Sequence, residues 1–562
     1  MAEQNPSNTS SRESHVSDTG EMMRSRNVRR KDNPNKAILG NIKFYVNSED
    51  KKAEMFTKLE KAKSVLRGKL SHVTNAEILH EALDLYLRTY HDDHSDHTDF
   101  QQYLYCSRDR TNEEIFLTTQ SAIRNMSAGI HQHSQICRKN IDVKDIRRSG
   151  HAGKVTFMCE DKHTFKCDTS PHIEGGKYYV NLRMMHAVFG SGLRFTQYER
   201  ACNSANIGVC PESFFGNVHD IYCDVTSDVT SSCIRDAIND EVAHTILQCD
   251  EEMEEFKGIN ILSDARHGWR KNAAQSDVIA LGSATHKVVG AVTVTRDDDP
   301  VSQRHELIGA KQIYNHFEEE GVNVNIHGHD RNSSINKYLD TEQPTVTNAN
   351  DTWHATKGIA KVLKAVSSGP KKMHAVTWHS ELSDKAGSIK THCYYAMKNC
   401  GKSSQKLKQL LENIVEHYKN NHENCFENSR CRTDDNYIPS KTILKDSDAE
   451  RILLNAIRGL QIYKNAGDYI YCMDTHYVES FNNASLTYHD KRIAFGHKEY
   501  QRRTNMAILD WNHNVDREYT SISYFEDARH PRKHAGHKNL SPKSFSFLDT
   551  IWEHVIENYY HT

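Results

Sequence analysis

No apolar run of about 18 residues or more occurs in the 562-residue chain, so no membrane-spanning helix is expected. The first 36 residues, "MAEQNPSNTSSRESHVSDTGEMMRSRNVRRKDNPNK", have no apolar core, so they do not read as a secretory signal. Charge of one sign is also missing: the formal net charge is −3, which excludes a uniformly basic nucleic-acid coat and makes any basic surface local. No Cys-x-x-Cys pair occurs, which argues against redox chemistry. Without a leader, the 14 Cys are expected to be reduced thiols or metal ligands rather than disulfides, in an intracellular protein.

What the chain does have is histidine, 35 of them, beside 25 Tyr. Charged residues are 26% and hydrophobic residues 37%, enough for modest cores. The length suggests roughly four domains.

Residues 1–36 read as a disordered basic tail, in which "RSRNVRRK" (24–31) suits nuclear import or contact with DNA. In 37–98, Ile42, Phe44 and Val46 alternate with Lys43, Tyr45 and Asn47 as a short strand, and two helical stretches follow. That order fits a ribbon-helix-helix module, with Lys43 and Tyr45 facing DNA, or a small helical dimerisation unit. In 127–175, His133-x3-Cys137 and Cys159-x3-His163 supply two soft-ligand pairs for a tetrahedral zinc ribbon, with His131 and Cys167 in reserve. Residues 176–255 read as helices broken at Gly192 and Gly208, with Thr196 as an N-cap. Both a helix-turn-helix, with Arg194 and Arg200 on phosphates, and an ordinary helical bundle have this pattern.

The next stretch, 256–375, carries chemistry. "GINILSDAR", "SDVIALGSAT" and "KVVGAVTVTR" are three consecutive strands, the last two joined by a tight turn near His286. An amphipathic helix follows, then the strand "VNVNIHGHDRN", a short fifth strand and a further helix. The order β-β-β-α-β-α is that of a ribonuclease H-like core, in which the first and fourth strands are neighbours. Asp264 and Asp330 would then sit side by side. Two adjacent carboxylates repel and raise each other's pKa, a conflict that a hard divalent cation resolves. A third acid, Glu479 in "YVESFNN", falls within 474–520. The interval from 330 to 479 is too long for one connection, so 376–473 is expected to be an inserted helical domain. Within it, Cys400, His422, Cys425 and Cys431 would make a closed zinc site, with His417 nearby.

These features resemble eukaryotic cut-and-paste DNA transposases of the DDE type, close to the Mutator-like and hAT-like groups. Those groups carry Cys or Asp, two residues and then His shortly after the second acid, and "DTWH" (Asp351 to His354) stands in that place. The resemblance spans about 255–520 and implies two Mg2+ or Mn2+ ions on Asp264, Asp330 and Glu479. Water would attack the phosphodiester at an element end, and the freed 3′ hydroxyl would then attack target DNA. Asp351 and His354 would organise the site or form a buried structural pair. Trp353 would stack on a base or pack in the core, and His329 would stand behind Asp330 or at the surface. Lys491 and Arg492 join the expected DNA contacts, and 521–562 reads as a disordered basic tail. The implied protein is nuclear and a homodimer or higher oligomer. Its rivals are a transposase-derived DNA-binding factor without catalysis and a nuclease of the same fold.

Overall fold

The computed structural model describes residues 36–39, 42–45, 113–268, 273–526 and 534–561. The chain divides into a unit of Gln4–Thr111 and a unit comprising Met1–Glu3 and Asn112–Thr562. In the smaller unit β1 (Lys36–Leu39) and β2 (Ile42–Tyr45) form an antiparallel hairpin, so the expected strand pairs within its own chain. The helices expected after it, the basic run 24–31, and the side chains of Lys43 and Tyr45 lie outside the described residues.

The larger unit opens with the helix Gln120–Cys137, capped by the Thr119 hydroxyl, which accepts from Ala122 N–H. A three-stranded antiparallel sheet follows: β3 (Ile141–Ser149), β4 (Ala152–Cys159) and β5 (Thr164–Asp168). Next come the helices Tyr179–Gly190 and Phe195–Ser204 and the 41-residue helix Glu212–Glu252. Gly192, at φ 72°, makes the turn between the first two, where a Cβ would stand 3.1 Å from Tyr488 Cα. The helix start falls two residues earlier than Thr196 as N-cap predicts. Arg194 N–H donates to Gln197 Oε1 at 3.0 Å, so the chain is capped at Arg194 and Thr196 lies inside the first turn. Leu182, Met185, Phe189, Tyr198 and Tyr222 are buried in the same core as the central sheet, as a bundle packed on that sheet requires.

The central sheet holds β6 (Ile259–His267), β7 (Gln275–Gly282), β8 (Val288–Thr295), β9 (Val324–His329) and β10 (Thr347–Asn350), in the order β10-β9-β6-β7-β8. β6, β7 and β8 form an antiparallel meander, with His286 at φ 55° in the last turn; β9 runs parallel to β6 and β10 parallel to β9. The first and fourth strands are therefore neighbours, as expected. β7 is buried along almost its whole length because both its faces are covered. Val278 meets Gly309 of the helix Ser302–Glu319, while its neighbour Asp277 accepts from Tyr500 of the helix His497–Asn514. Successive side chains point to opposite faces, so these helices lie on opposite sides. Within the sheet region one helix was not expected: Ser333–Glu342 joins β9 to β10, too short and polar to stand out by periodicity.

After the helix Thr352–Ser367 the chain leaves the sheet and builds a second core. The helices Ala386–Lys398, Ser404–Tyr418 and Ser447–Gly459 bury Ile389, Leu407, Leu411, Ile414, Leu453 and Ile457 together. It returns through the helices His476–Ala484 and His497–Asn514. The C-terminal segment is not a tail. β11 (Tyr519–Glu526) and β12 (His534–Leu540) pair antiparallel, and the helix Ser546–His561 buries Phe547, Ile551 and Val555 in the main core. Their i, i+4, i+8 spacing supplies the apolar stripe that binds it there. Among the described residues no helix is long and apolar enough to cross a membrane.

Candidate active site

The acids are set by register. β6 and β9 pair up to Leu262↔Gly328, and β9 and β10 up to His329↔Asn350. Asp264 and Asp330 each stand two residues beyond that first pair. Asp330 and Asp351 each stand one residue beyond the second. Three carboxylates thus lie in a row at the C-terminal ends of adjacent parallel strands, where ligands of open α/β sheets bind. β6 itself continues to His267 along β7, so Asp264 occupies the notch where β6 has lost its parallel neighbour, not the end of the strand.

Each carboxylate has a defined partner. Asp264 accepts from Ala265 N–H at 2.8 Å and from Asn482 Nδ2 at 3.0 Å. Burial, then repulsion from Asp330, Glu306 and Glu479, pushes its pKa up to about 7. Asp330 accepts from Thr475 Oγ1 at 3.0 Å and faces His354 Nδ1 at 3.1 Å; burial raises its pKa, opposed by His354. Asp351 caps the helix Thr352–Ser367, accepting from Trp353 N–H and His354 N–H, and also holds His354 Nδ1 at 2.6 Å. His354 therefore bridges two acids through one nitrogen.

Glu479 arrives by a strap. Thr352 N–H donates to Met473 O at 3.0 Å, and Thr475 N–H donates to Asp351 Oδ1 at 3.2 Å, which ties the end of the insertion to its beginning. Glu479, one turn further on in the helix His476–Ala484, then lines a cleft of about 640 Å3 with Asp351, Trp353, Lys390, Tyr394 and Asp474. Trp353 is 48% exposed, which places it in this cleft and not in the core; Lys357 Nζ stands 3.0 Å from its ring centroid. His329 is fully buried and its Nε2 donates to Asn348 Oδ1 at 2.9 Å, so it is not at the surface.

The closest set of possible ligand atoms here is Asp330, Asp351 and His354, mutually within 4.8 Å; Asp264, Asp330 and Glu479 are not so tightly gathered. Thr475 and His354 hold Asp330 toward Asp351, and uncompensated carboxylates stand apart. One acid of the cluster escaped the sequence reading. Glu306, on the helix Ser302–Glu319, adds its charge to Asp264, and nothing in its local sequence distinguishes it from a surface acid.

Two soft-ligand clusters stand elsewhere. His133, Cys137, Cys159 and His163 lie mutually within 4.8 Å, the four residues expected. Cys137 Sγ is 3.8 Å from Cys159 Sγ and 3.3 Å from His163 Nδ1, and both ring nitrogens of half-buried His133 are shielded from solvent and lack a hydrogen-bond partner. The first pair sits on the last turn of a helix instead of a strand turn; His131 pairs with Gln135, and neither it nor Cys167 joins the group. The second cluster departs from expectation. It is His417, His422, Cys425 and Cys431, whereas Cys400 is buried with its thiol aimed at the carbonyls of Met397 and Ile470. Cys400 ends up in an apolar core, while His417, on the last turn of Ser404–Tyr418, faces the loop that carries the other three. Cys425 Sγ lies 3.5 Å from His417 Nδ1 and 3.8 Å from His422 Nδ1. Burial lowers the pKa of His417 to about 4 and raises that of Cys425 to about 11.

Of the expected DNA contacts, Arg200, Lys491 and Arg492 are exposed, and Arg194 is half-buried at its helix start.

The family model for Mutator-like transposases matches residues 113–296 and 299–431. This chain belongs to the Mutator-like transposase family, and its general role is that of a transposase, a DNA-processing class of enzyme. The match takes in Asp264, Asp330, Asp351, His354 and both soft-ligand clusters, and it stops short of Glu479. No curated protein matches the sequence.

Proposed function

We propose that this protein cuts the ends of a DNA element and joins them to target DNA by divalent-metal-dependent phosphoryl transfer on a ribonuclease H-like core. The observation that carries the reading is the register: Asp264 and Asp330 stand at equivalent positions past the last β6–β9 pair. The residues fit a hard cation. The donors are carboxylate oxygens, Asp264 is pushed to about 7 by burial and by other acids, and Glu306 Oε1 is buried without a partner. Asp264, Asp330 and Glu479 would hold Mg2+ or Mn2+. Two such ions supply activation of an attacking oxygen and stabilisation of a leaving one.

The chain's own groups do the rest. Thr475 fixes Asp330, Asp351 fixes His354, and Trp353, with Lys357 Nζ over one face of its ring, offers its exposed side to a base of the scissile strand. In the first reaction water oxygen bonds to phosphorus as the P–O3′ bond breaks, leaving a 3′ hydroxyl and a 5′ phosphate. In the second that hydroxyl oxygen bonds to a target phosphorus, and one target P–O bond breaks. The two Cys/His sets each fit a structural zinc, since the thiols and neutral imidazoles face one point. The protein would act in the nucleus as a dimer, holding two element ends.

The test is incubation of the full chain with DNA carrying the element's end and Mg2+ or Mn2+. Cleavage that vanishes in Asp264→Ala, Asp330→Ala and Glu479→Ala, with transfer of the cut end to a second duplex, is expected. Binding without cleavage by the unmodified chain would leave a DNA-binding factor. Cleavage without joining would leave a nuclease.

A further inference from the structure

The helix His476–Ala484 touches the row of acids near both of its ends. Thr475, at its N-cap, donates through Oγ1 to Asp330 Oδ1 at 3.0 Å and through N–H to Asp351 Oδ1 at 3.2 Å. Two turns on, Asn482 Nδ2 donates to Asp264 Oδ2 at 3.0 Å. Residues 475, 479 and 482 stand at i, i+4 and i+7, so they share one stripe of the helix. Glu479 therefore sits between two contacts, one on Asp330 and one on Asp264. The rest of the helix is anchored without Asn482: Val478 and Phe481 are buried in the main core, and the Tyr477 and His286 ring centroids are 3.5 Å apart.

Among the described residues, the half-buried Asn482 side chain makes one hydrogen bond, the one to Asp264; its Oδ1 is shielded from solvent and has no partner. An apolar side chain would fill the same space without leaving an amide oxygen unpaired, so packing alone does not account for this residue. Its bond does account for it. Ala265 N–H holds one oxygen of Asp264 and Asn482 holds the other, which fixes the plane of the carboxylate. The donor is also neutral. A lysine or arginine in its place would compensate the charge of Asp264, whereas an amide orients the acid and leaves that charge for a cation.

We propose that Asn482 is a positioning residue of the metal centre: it orients Asp264 and, on the same helical stripe, sets Glu479 beside it. Thr475 ties the second acid to this helix, and Asn482 ties the first. The proposal rests on the reading of Asp264, Asp330 and Glu479 as metal-holding acids, and it gives the third acid its place through a residue that holds no metal charge of its own.

The test is Mn2+ titration of the full-length protein without DNA, read by electron paramagnetic resonance, followed by the Mn2+ dependence of end cleavage. Asn482→Leu keeps a similar volume and removes the donor. Asn482→Ala removes it with less bulk, so either variant suffices if the other misfolds, and circular dichroism checks the fold of each. Both are expected to weaken Mn2+ binding by about 10-fold or more, the size of effect of partners that orient metal ligands. Cleavage should need correspondingly more Mn2+ and recover as Mn2+ is raised. A merely structural role would leave Mn2+ affinity unchanged and lower cleavage equally at every Mn2+ concentration; that result overturns the proposal. Asp264→Asn separates the two readings. If it abolishes Mn2+ binding while the folded Asn482 variants bind like the unmodified chain, this proposal alone falls. If Asp264→Asn also binds Mn2+ unchanged, both readings fall.

Discussion

Asp264 should make the metal-free protein less stable than a variant lacking its charge. Burial and three neighbouring acids raise its pKa from an ordinary 3.8 to about 7. A group raised in the folded state contributes fully below its unfolded pKa, near 4. That contribution is lost as pH climbs through about 7. At roughly 1.4 kcal/mol per tenfold change, the gap corresponds to about 4 kcal/mol above neutrality, an upper figure since local rearrangement relieves part of it. Asp264→Asn removes the titration and keeps the volume. Its amide oxygen can still accept from Ala265 N–H, and its NH2 can donate to Asn482, whose Oδ1 is buried and unpaired. In EDTA at pH 8 the variant should be more stable by about 2–4 kcal/mol, which for a unit of this size raises the melting temperature by roughly 2–4 °C. Near pH 4 the two should coincide. Added Mg2+ or Mn2+ at pH 8 should raise the melting temperature of the unmodified chain and leave the variant where it was. The assay is scanning calorimetry across pH 4–8 with and without cation. A variant less stable than its parent at pH 8 in EDTA, or equal stabilisation of both by metal, refutes the reasoning.

Glu499→Gln should cost about 3–5 kcal/mol in urea unfolding, because Glu499 is the carboxylate shared by Arg502 and Arg503, each 1% exposed, and by His219; a loss below about 1 kcal/mol would contradict this. Metal analysis of purified protein should find one zinc fewer per chain in His417→Ala and no loss in Cys400→Ala; the reverse result would restore Cys400 as the ligand. Deleting 546–562 uncovers Phe547, Ile551 and Val555, each contributing roughly 1.5–3 kcal/mol when buried, and should lower the urea midpoint of the larger unit; an unchanged midpoint would return the segment to the status of a tail.

The sheet and its acids were legible because their signals are local or topological. Apolar runs bounded by turns mark β6 to β9, and once their order is fixed, two Asp at strand ends become neighbours without any knowledge of loops. The cluster His133, Cys137, Cys159 and His163 was legible for the same reason, as both pairs have short spacings. Glu306 was not, since an acid in an amphipathic helix looks alike whether it meets water or other acids, and only packing decides. His417 and Cys400 show the limit of spacing: both are close enough in sequence to Cys425, and the choice depends on which helix face turns inward. The C-terminal helix did announce itself in Phe547, Ile551 and Val555, but the basic stretch before it dominated the reading. Trp353 could not be assigned to core or surface from its neighbours, because a helix's first turn points wherever its cap directs it.

The insertion's position explains how the core around the central sheet tolerates an interruption of this size. Loop-closure entropy grows only with the logarithm of length, so a long excursion costs little if its ends are fastened. Here they are fastened to each other: Thr352 N–H to Met473 O, and Thr475 N–H to Asp351 Oδ1. The acid that opens the excursion thus accepts from the residue that closes it, and Glu479 follows within one helical turn. Because the excursion has its own core, with His417, His422, Cys425 and Cys431 placed to pin its loop, its internal fold can vary without moving Glu479. Lys390 and Tyr394, on the helix Ala386–Lys398, line the same cleft as Trp353. The excursion therefore does more than separate two acids in sequence: it contributes Lys390 and Tyr394 to the cleft that Glu479 lines, and in the proposed reaction that would give it a part in what the cleft accepts.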